Sequence, residues 1–376
     1  MRASWDIFCS VVDNYGDIGV TWRLARQLCA EHGQAVRLWV DDPAAFAALC
    51  PQADPALDMQ ICDGVEVRRW ANPWPPAEPA EVVIEAFACE LPTGYRQAMR
   101  EQGGRRLWLN LEYLSAEDWV ADYHGLPSMQ PDGLRKFFFF PGFDARTGGL
   151  LRERDLLAQR DVWQADENAQ RTFLAGLGVQ RQLAEQLISL FCYEHEALGE
   201  WLDALADETQ PVRLLVPQGR VLGDLFAWTG RALAVGDEFR RGALSVQVLP
   251  FVSQPDYDRL LWSCDFNLVR GEDSLLRGLW AGRPFAWDIY KQAEDAHFDK
   301  LEAFLGRYSE GQGEPAAQAL AEFMWAWNRR QAVAEAWRKL RAVQPEASRW
   351  AARRAREMAA QSDLAARLVQ FCTEWL

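Results

Sequence analysis

The chain has 376 residues, of which 49% are hydrophobic, and a formal net charge of −14 at pH 7. This length predicts two globular domains. The strong negative charge argues against non-specific binding to nucleic acid or to anionic membranes. The longest apolar runs, such as the four phenylalanines at 137–140, are far too short to cross a bilayer, and the first residues lead directly into a strand pattern. We therefore expect a cytoplasmic protein without a signal peptide or a membrane partner.

Short apolar runs alternate with helical patterns along the first half of the chain. The predicted strands there are residues 7–12, 35–40, 65–70, 82–87, 106–110 and 136–140. After a charged helical stretch at 151–186, a second series is predicted at 187–193, 212–217, 244–249, 266–270 and 284–287. From residue 316 onward the pattern is helical. Strands that alternate with helices indicate parallel βαβ units, so the expected class is α/β with two doubly wound domains and a helical C-terminal tail.

The turn that follows the first predicted strand contains two aspartates, Asp13 and Asp17, and two glycines. Ligands of open α/β sheets bind at the carboxyl ends of the strands. Two neighbouring carboxylates are costly unless a cation, a hydrogen-bond donor or a shared proton compensates for them. The turn therefore predicts a site for a cationic group. The alternative is that one of the aspartates merely caps the following helix.

The second half contains a comparable signature at residues 270–277. Arg270 ends a predicted strand, and Glu272, Asp273 and Ser274 then open a helix. The N–H groups of a helix start and the positive end of its dipole form an anion site, which would suit a diphosphate. The alternative is an ordinary capped helix. No Gly-x-Gly-x-x-Gly or P-loop motif occurs, which argues against an oxidoreductase and a nucleotide triphosphatase.

Aromatic and amide side chains follow two further strands of the second half. Phe191 and Tyr193 end the strand at 187–193, and Phe251 and Gln254 follow the strand at 244–249. Such side chains can stack on a nucleobase and read its edge, although ordinary core aromatics would give the same pattern. The eight cysteines and four histidines lack metal-ligand spacing, so no metal is expected.

Several segments resemble the bacterial protein-arginine rhamnosyltransferases that modify elongation factor P. The segments that carry the resemblance are residues 13–26, 110–117, 138–143, 271–274 and 280–285. The resemblance covers nearly the whole chain and implies a GT-B glycosyltransferase, with two facing Rossmann-like domains and a cleft between them. It places an acceptor-binding domain at 1–180 and a nucleotide-sugar domain at 181–359, with the C-terminal helix at about 360–376 packed back onto the first domain.

The resemblance further implies a reaction. L-rhamnose would pass, with inversion and without a metal or other cofactor, from TDP-β-L-rhamnose to one arginine of elongation factor P. The donor site would comprise Phe191, Phe251 and Gln254 at the thymidine, Tyr193, Arg270, Asp273 and Ser274 near the diphosphate, and Glu272 near the sugar.

The first domain would bind the acceptor. We assign the role of base to Asp17 and the orientation of the guanidinium to Asp13, with Tyr15 and Glu112 as further acceptor-binding residues. Two alternatives remain open. One is a GT-B enzyme for a small-molecule acceptor, although a paired-aspartate turn suits a cation better than a hydroxyl. The other is a non-catalytic nucleotide-sugar-binding protein.

Overall fold

The structure is a computed structural model that describes residues 2–11, 15–102, 106–182, 184–309 and 313–376. Its strands are β1 (Ser4–Cys9), β2 (Ala35–Val40), β3 (Met59–Cys62), β4 (Val65–Arg69), β5 (Val82–Ala86), β6 (Leu107–Leu111), β7 (Pro127–Met129), β8 (Arg135–Phe139), β9 (Gln186–Leu190), β10 (Val212–Pro217), β11 (Glu238–Arg241), β12 (Leu244–Leu249), β13 (Phe266–Arg270) and β14 (Phe285–Asp288). Its α-helices are α1 (Gly16–His32), α2 (Pro43–Leu49), α3 (Thr93–Glu101), α4 (Val120–Tyr123), α5 (Leu156–Ala165), α6 (Glu167–Gly176), α7 (Leu198–Ala206), α8 (Leu222–Thr229), α9 (Gln254–Ser263), α10 (Asp273–Trp280), α11 (Ala296–Tyr308), α12 (Pro315–Arg329), α13 (Val333–Ala342), α14 (Gln344–Ala359) and α15 (Leu364–Trp375). Within these described ranges, no helix is long and apolar enough to cross a membrane.

The chain divides into two compact units, Met1–Arg154 with Ala359–Leu376, and Asp155–Met358. The sequence placed residues 155–180 in the first domain, whereas the structure places them in the second unit. The physical reason is the packing of α5, because the indole Nε1 of Trp163 donates to Ser263 Oγ of α9 at 3.0 Å. The Nε2 of Gln164 donates to the carbonyl oxygen of Ala281 at 3.0 Å, which attaches α5 to the end of α10.

The first unit is built on one sheet in the order β3-β4-β2-β1-β5-β6-β8-β7. The central strands β4, β2, β1, β5, β6 and β8 run parallel, and the short strands β3 and β7 pair antiparallel at the two edges. All carboxyl ends of the parallel strands therefore meet at the same edge of the sheet, which is where α1 begins.

The C-terminal helix α15 packs in the first unit. Gln27 of α1 donates from Nε2 to Asp363, the N-cap of α15, at 3.1 Å. Trp375 packs on Phe137 of β8, with ring centroids 4.3 Å apart. At Gly149, which has φ +73°, a β-carbon would lie 2.5 Å from the Ser362 carbonyl oxygen. Only glycine fits this approach to the start of α15 without a shift of the backbone.

The second unit is built on a sheet in the order β11-β12-β10-β9-β13-β14, in which only the edge strand β11 is antiparallel. Its central strands are almost fully buried, as expected for a parallel sheet that helices cover on both faces. The predicted α/β class is confirmed in both units.

A buried carboxylate stabilises the sheet of the first unit. Asp6 of β1 is fully buried, and Arg37 of β2 donates to it from Nε and Nη2, each at 2.6 Å. Trp39 Nε1 donates to the same carboxylate at 3.0 Å, the backbone N–H of Ala80 at 3.1 Å, and the Tyr95 hydroxyl as well. Asp6 thus joins β1, β2 and α3 through charge-assisted hydrogen bonds.

We expect Asp6→Ala to lower the free energy of unfolding by about 3 kcal/mol or more, because it removes the acceptor of the Arg37 guanidinium and of three buried donors. Urea denaturation measures the change. Asp58→Ala is the matched control, since Asp58 is 88% exposed and pairs with Arg69 at 2.9 Å on the surface. This control should change stability by less than about 1 kcal/mol, and an equal loss in both variants would contradict the expected role of Asp6.

Candidate active site

Asp17 lies in the first turn of α1, at the carboxyl edge of the first sheet. The helix begins at Gly16, and its N-cap is Tyr15, which is 43% exposed. Asp17 is therefore one residue inside the helix and not at the capping position. Its side chain is only 3% exposed, and its backbone oxygen accepts from Thr21 Oγ1 at 3.0 Å. Asp13, the other aspartate predicted here, lies outside the described residues.

Tyr113, which follows β6, contacts the Asp17 carboxylate. Its hydroxyl donates to Asp17 Oδ1 at 3.4 Å. The Tyr113 ring stacks on Phe87, with centroids 4.6 Å apart and planes 19° from parallel. Phe87 follows β5 and Tyr113 follows β6, so the carboxyl ends of neighbouring strands meet α1 at this point. The contact also brings the segment of Glu112 next to Asp17.

Glu112 directly follows β6 and is held by its strand neighbour. The Nδ2 of Asn110 donates to Glu112 Oε1, while Asn110 Oδ1 accepts from the backbone N–H of Ala88 at 3.2 Å. Burial raises the pKa of the Glu112 carboxyl, and the positive charge of Lys136 partly opposes this shift. A desolvated carboxylate gains more from a nearby cation than an exposed one does. Glu112 is therefore suited to hold a cationic group.

The donor residues predicted in the second unit lie at the carboxyl ends of its parallel strands. Phe191 and Tyr193 follow β9, and Arg270 ends β13, which pairs with β9. The guanidinium carbon of Arg270 lies 4.4 Å from the ring centroid of Phe191 and 4.7 Å from that of Tyr193. Stacking on aromatic rings occupies the faces of a guanidinium and leaves its N–H groups at the edges as donors for an anion.

Ser274 and Asp273, both predicted near a diphosphate, have protein partners in the structure. Ser274 Oγ accepts from the backbone N–H of Arg270 at 3.2 Å and also donates to the Arg270 carbonyl oxygen. The Asp273 carboxylate lies 3.6 Å from Nε of the buried Arg277. The two side chains thus stabilise the turn between β13 and α10, and Glu272 occupies the N-cap position of α10. The N–H groups of the first helical turn supply the anion-binding capacity of such a turn.

Phe251 and Gln254 lie at the carboxyl end of β12, which β10 separates from β9 in the sheet. Phe251 is 46% exposed, whereas Gln254 is 5% exposed and is the first residue of α9. An exposed aromatic ring beside a buried amide at a strand end is suited to stack on a flat base. Tyr257 of the same helix α9 packs on Phe191, with ring centroids 5.8 Å apart.

Sequence reasoning missed three side chains that shape these strand ends. Tyr113 contacts Asp17, Trp287 Nε1 donates to the Gly271 carbonyl oxygen at 3.0 Å, and Asp288 accepts from the backbone N–H of Tyr193 at 2.7 Å. Each of these contacts joins residues that are distant in sequence. The available signal was position alone, since all three residues lie at or just after the carboxyl end of a parallel strand.

Comparison with known proteins relates this arrangement to one family. The family model described as Elongation-Factor P (EF-P) rhamnosyltransferase EarP matches residues 5–373. The chain is 61% identical to a protein-arginine rhamnosyltransferase of Pseudomonas aeruginosa and 60% identical to one of Pseudomonas putida. The first alignment covers 100% of both chains and the second 99% of both. A solved structure that explains EarP-mediated arginine glycosylation of translation elongation factor EF-P is also similar, with 45% identity, a TM-score of 0.73 and full coverage of both chains.

The match extends from the first strand to the last helix, and the similarity to the solved structure covers both units. The two parallel sheets and their helices accordingly have the GT-B glycosyltransferase fold. The chain belongs to the family of elongation factor P rhamnosyltransferases.

Proposed function

We propose that this enzyme transfers L-rhamnose from TDP-β-L-rhamnose, with inversion, to one arginine side chain of elongation factor P. The proposal rests above all on the buried Asp17 carboxylate in the first turn of α1, in a chain 61% identical to a protein-arginine rhamnosyltransferase. Because the acceptor is a translation factor, we propose that the reaction takes place in the cytoplasm.

The second unit would bind the donor. Departure of TDP places negative charge on its terminal phosphate, and fixed dipoles and cations stabilise such charge most effectively when they are already in position. The Arg270 guanidinium, packed between Phe191 and Tyr193, and the N–H groups at the start of α10 are such groups. In this proposal they stabilise the leaving group without a metal or another cofactor.

Four further side chains belong to the proposed donor site. Phe251 would stack on the thymine and Gln254 would read its edge. Glu272, at the N-cap of α10, would lie near the sugar, which acquires oxocarbenium character as the glycosidic bond loosens. Asp273 would act through Arg277 and the local turn, because its carboxylate lies 3.6 Å from that guanidinium.

The acceptor poses the harder chemical problem. A guanidinium has a pKa above about 12 and a delocalised lone pair, so it is a poor nucleophile that no aspartate can deprotonate in advance. Carboxylates can hold the planar fork by charge-assisted hydrogen bonds and direct one nitrogen at the anomeric carbon. We assign this orienting role to Asp13, with Glu112 and Tyr15 as further contacts.

The transfer step balances as a single displacement. The guanidinium nitrogen forms a bond to the anomeric carbon while the bond from that carbon to the TDP oxygen breaks, and the electron pair leaves with TDP. As the new bond forms, the nitrogen becomes acidic, and the Asp17 carboxylate accepts its proton. Attack from the face opposite the leaving group converts the β-linked donor into an α-linked product.

The experiment is incubation of the protein with TDP-β-L-rhamnose and elongation factor P, followed by intact-mass measurement of the acceptor. We expect a mass increase of one deoxyhexosyl group, and no increase when the acceptor arginine is replaced by lysine. Nuclear magnetic resonance of the product should show an α-linked sugar.

The other outcomes correspond to the alternative functions. Unmodified elongation factor P together with turnover of a small acceptor would indicate a different GT-B transferase. Binding of TDP without acceptor-dependent release of TDP from the donor would indicate a nucleotide-sugar-binding protein. Either result would overturn the proposal.

A further inference from the structure

The last residue of β14 carries a buried carboxylate that the transfer reaction does not use. Asp288 is fully buried, and its Oδ2 accepts from the backbone N–H of Tyr193 at 2.7 Å. Its Oδ1 accepts from Nη1 of Arg330 at 2.9 Å. Asp288 therefore joins the loop after β9 to the C-terminus of α12, where Arg330 is the C-cap residue.

The C-terminus of α12 holds this part of β14 in a fixed position. Nη1 of Arg330 also donates to the Trp327 carbonyl oxygen at 2.8 Å, and its side chain is 11% exposed. Asn328 donates from Nδ2 to the Trp287 carbonyl oxygen at 2.8 Å and accepts from the Ile289 N–H at 3.0 Å. The backbone on both sides of Asp288 is thus hydrogen-bonded to the side chain of Asn328 near the end of α12.

The neighbouring residue of β14 contacts the other donor loop. Trp287 Nε1 donates at 3.0 Å to the carbonyl oxygen of Gly271, which has φ +63° and directly precedes Glu272. The consecutive residues Trp287 and Asp288 consequently hold the two loops that carry Arg270 and Tyr193. These are the loops whose aromatic and guanidinium groups pack together.

We propose that Asp288, anchored by Arg330, is a positioning residue that fixes the Tyr193 loop in the geometry required to bind the nucleotide diphosphate. This inference rests on the proposed function for the identity of the donor. A buried ion pair gives little net stability compared with apolar residues of the same size, because desolvation of both charges offsets their attraction. In this pair, however, Asp288 accepts from the N–H of Tyr193, and Arg330 is fixed at the end of α12. The pair therefore restricts the position of the Tyr193 loop. Preorganisation of this kind lowers the cost of ordering the site when the ligand binds.

The test is Arg330→Gln, which removes the anchor and leaves Asp288 in place. We expect the dissociation constant for TDP, measured by calorimetry, and the KM for TDP-β-L-rhamnose to rise by about 10-fold, with kcat within about 3-fold and an unchanged KM for elongation factor P. Asp288→Asn should weaken TDP binding as well, because it removes the ion pair with Arg330 while the amide keeps the shape of the carboxylate. This second variant carries the test if Arg330→Gln does not fold.

Arg213→Gln is the matched control. Arg213 Nε donates to Glu185 at 2.9 Å, and both side chains are almost fully buried at the amino end of the same sheet. This control should lower Tm and leave the affinity for TDP unchanged. The inference is overturned if Arg330→Gln and Asp288→Asn bind TDP as tightly as the unaltered protein, or if Arg213→Gln weakens binding as much as they do.

The two proposals fail in distinguishable ways. An unaltered protein that binds TDP but does not rhamnosylate elongation factor P would overturn the proposed function, while a selective loss of TDP affinity in Arg330→Gln would still support the role of Asp288. An unaltered protein that does not bind TDP would overturn both.

Discussion

Asp17→Asn should lower the rate of rhamnose transfer by about 10³-fold or more, and leave the dissociation constant for TDP within about 2-fold of its original value. The amide has the shape of the carboxylate and can still accept from the Tyr113 hydroxyl, but it cannot take the proton released by the attacking nitrogen. It also removes one negative charge that would hold the guanidinium. Single-turnover kinetics with saturating donor measures the chemical step separately from donor binding.

Asp155→Asn is the control for this substitution. Asp155 is the exposed N-cap residue of α5, so the same chemical change occurs at the start of another helix, and transfer should be unchanged. If Asp17→Asn turns over normally, the assignment of Asp17 as the base is wrong. Loss of activity in Asp13→Asn alone would then transfer that role to Asp13.

Phe251→Ala should raise the dissociation constant for TDP by about 10-fold or more, since stacking of a base on an aromatic side chain contributes about 1–3 kcal/mol. The ring is 46% exposed, so its loss should not create a large cavity in the core. Because the proposed contact is to the thymine and not to the reacting atoms, kcat at saturating donor should change little. Calorimetric titration with TDP measures the effect directly.

Phe226→Ala provides the comparison, since Phe226 of α8 is 53% exposed in the same unit. We expect TDP affinity to be unchanged in this variant. An unchanged affinity in Phe251→Ala as well would contradict the placement of the thymine at β12. A loss of affinity for both TDP and inorganic diphosphate would indicate that Phe251 acts on the diphosphate end instead.

The central strands could be predicted from the sequence with small errors. The bounds of β2, β10, β12 and β13 agree with the predicted segments at both ends. Parallel strands that are buried on both faces require continuous apolar runs, and such runs are visible in a single sequence. The first strand was predicted at 7–12 but lies at Ser4–Cys9, because the apolar run extends beyond the residues that pair with β2.

The antiparallel edge strands were missed for the opposite reason. β3 has three of its four residues exposed or half-buried, β7 has only three residues and begins at a proline, and β11 is almost entirely exposed. Edge strands are defined by pairing with one neighbour and not by burial. Their sequences therefore contain no apolar run, and their positions follow from the strands against which they pair.

The sequence by itself determined the α/β class, the GT-B resemblance and the strand ends at which polar and aromatic residues collect. It could do so because strand burial and turn chemistry depend on residues that are close together in the chain. Only the tertiary structure decided which side chains meet, such as Tyr113 with Asp17, and Asp288 with the N–H of Tyr193 across 95 residues. It also placed α5 in the second unit. These contacts form when separate elements pack, and so they leave no local pattern from which a sequence could predict them.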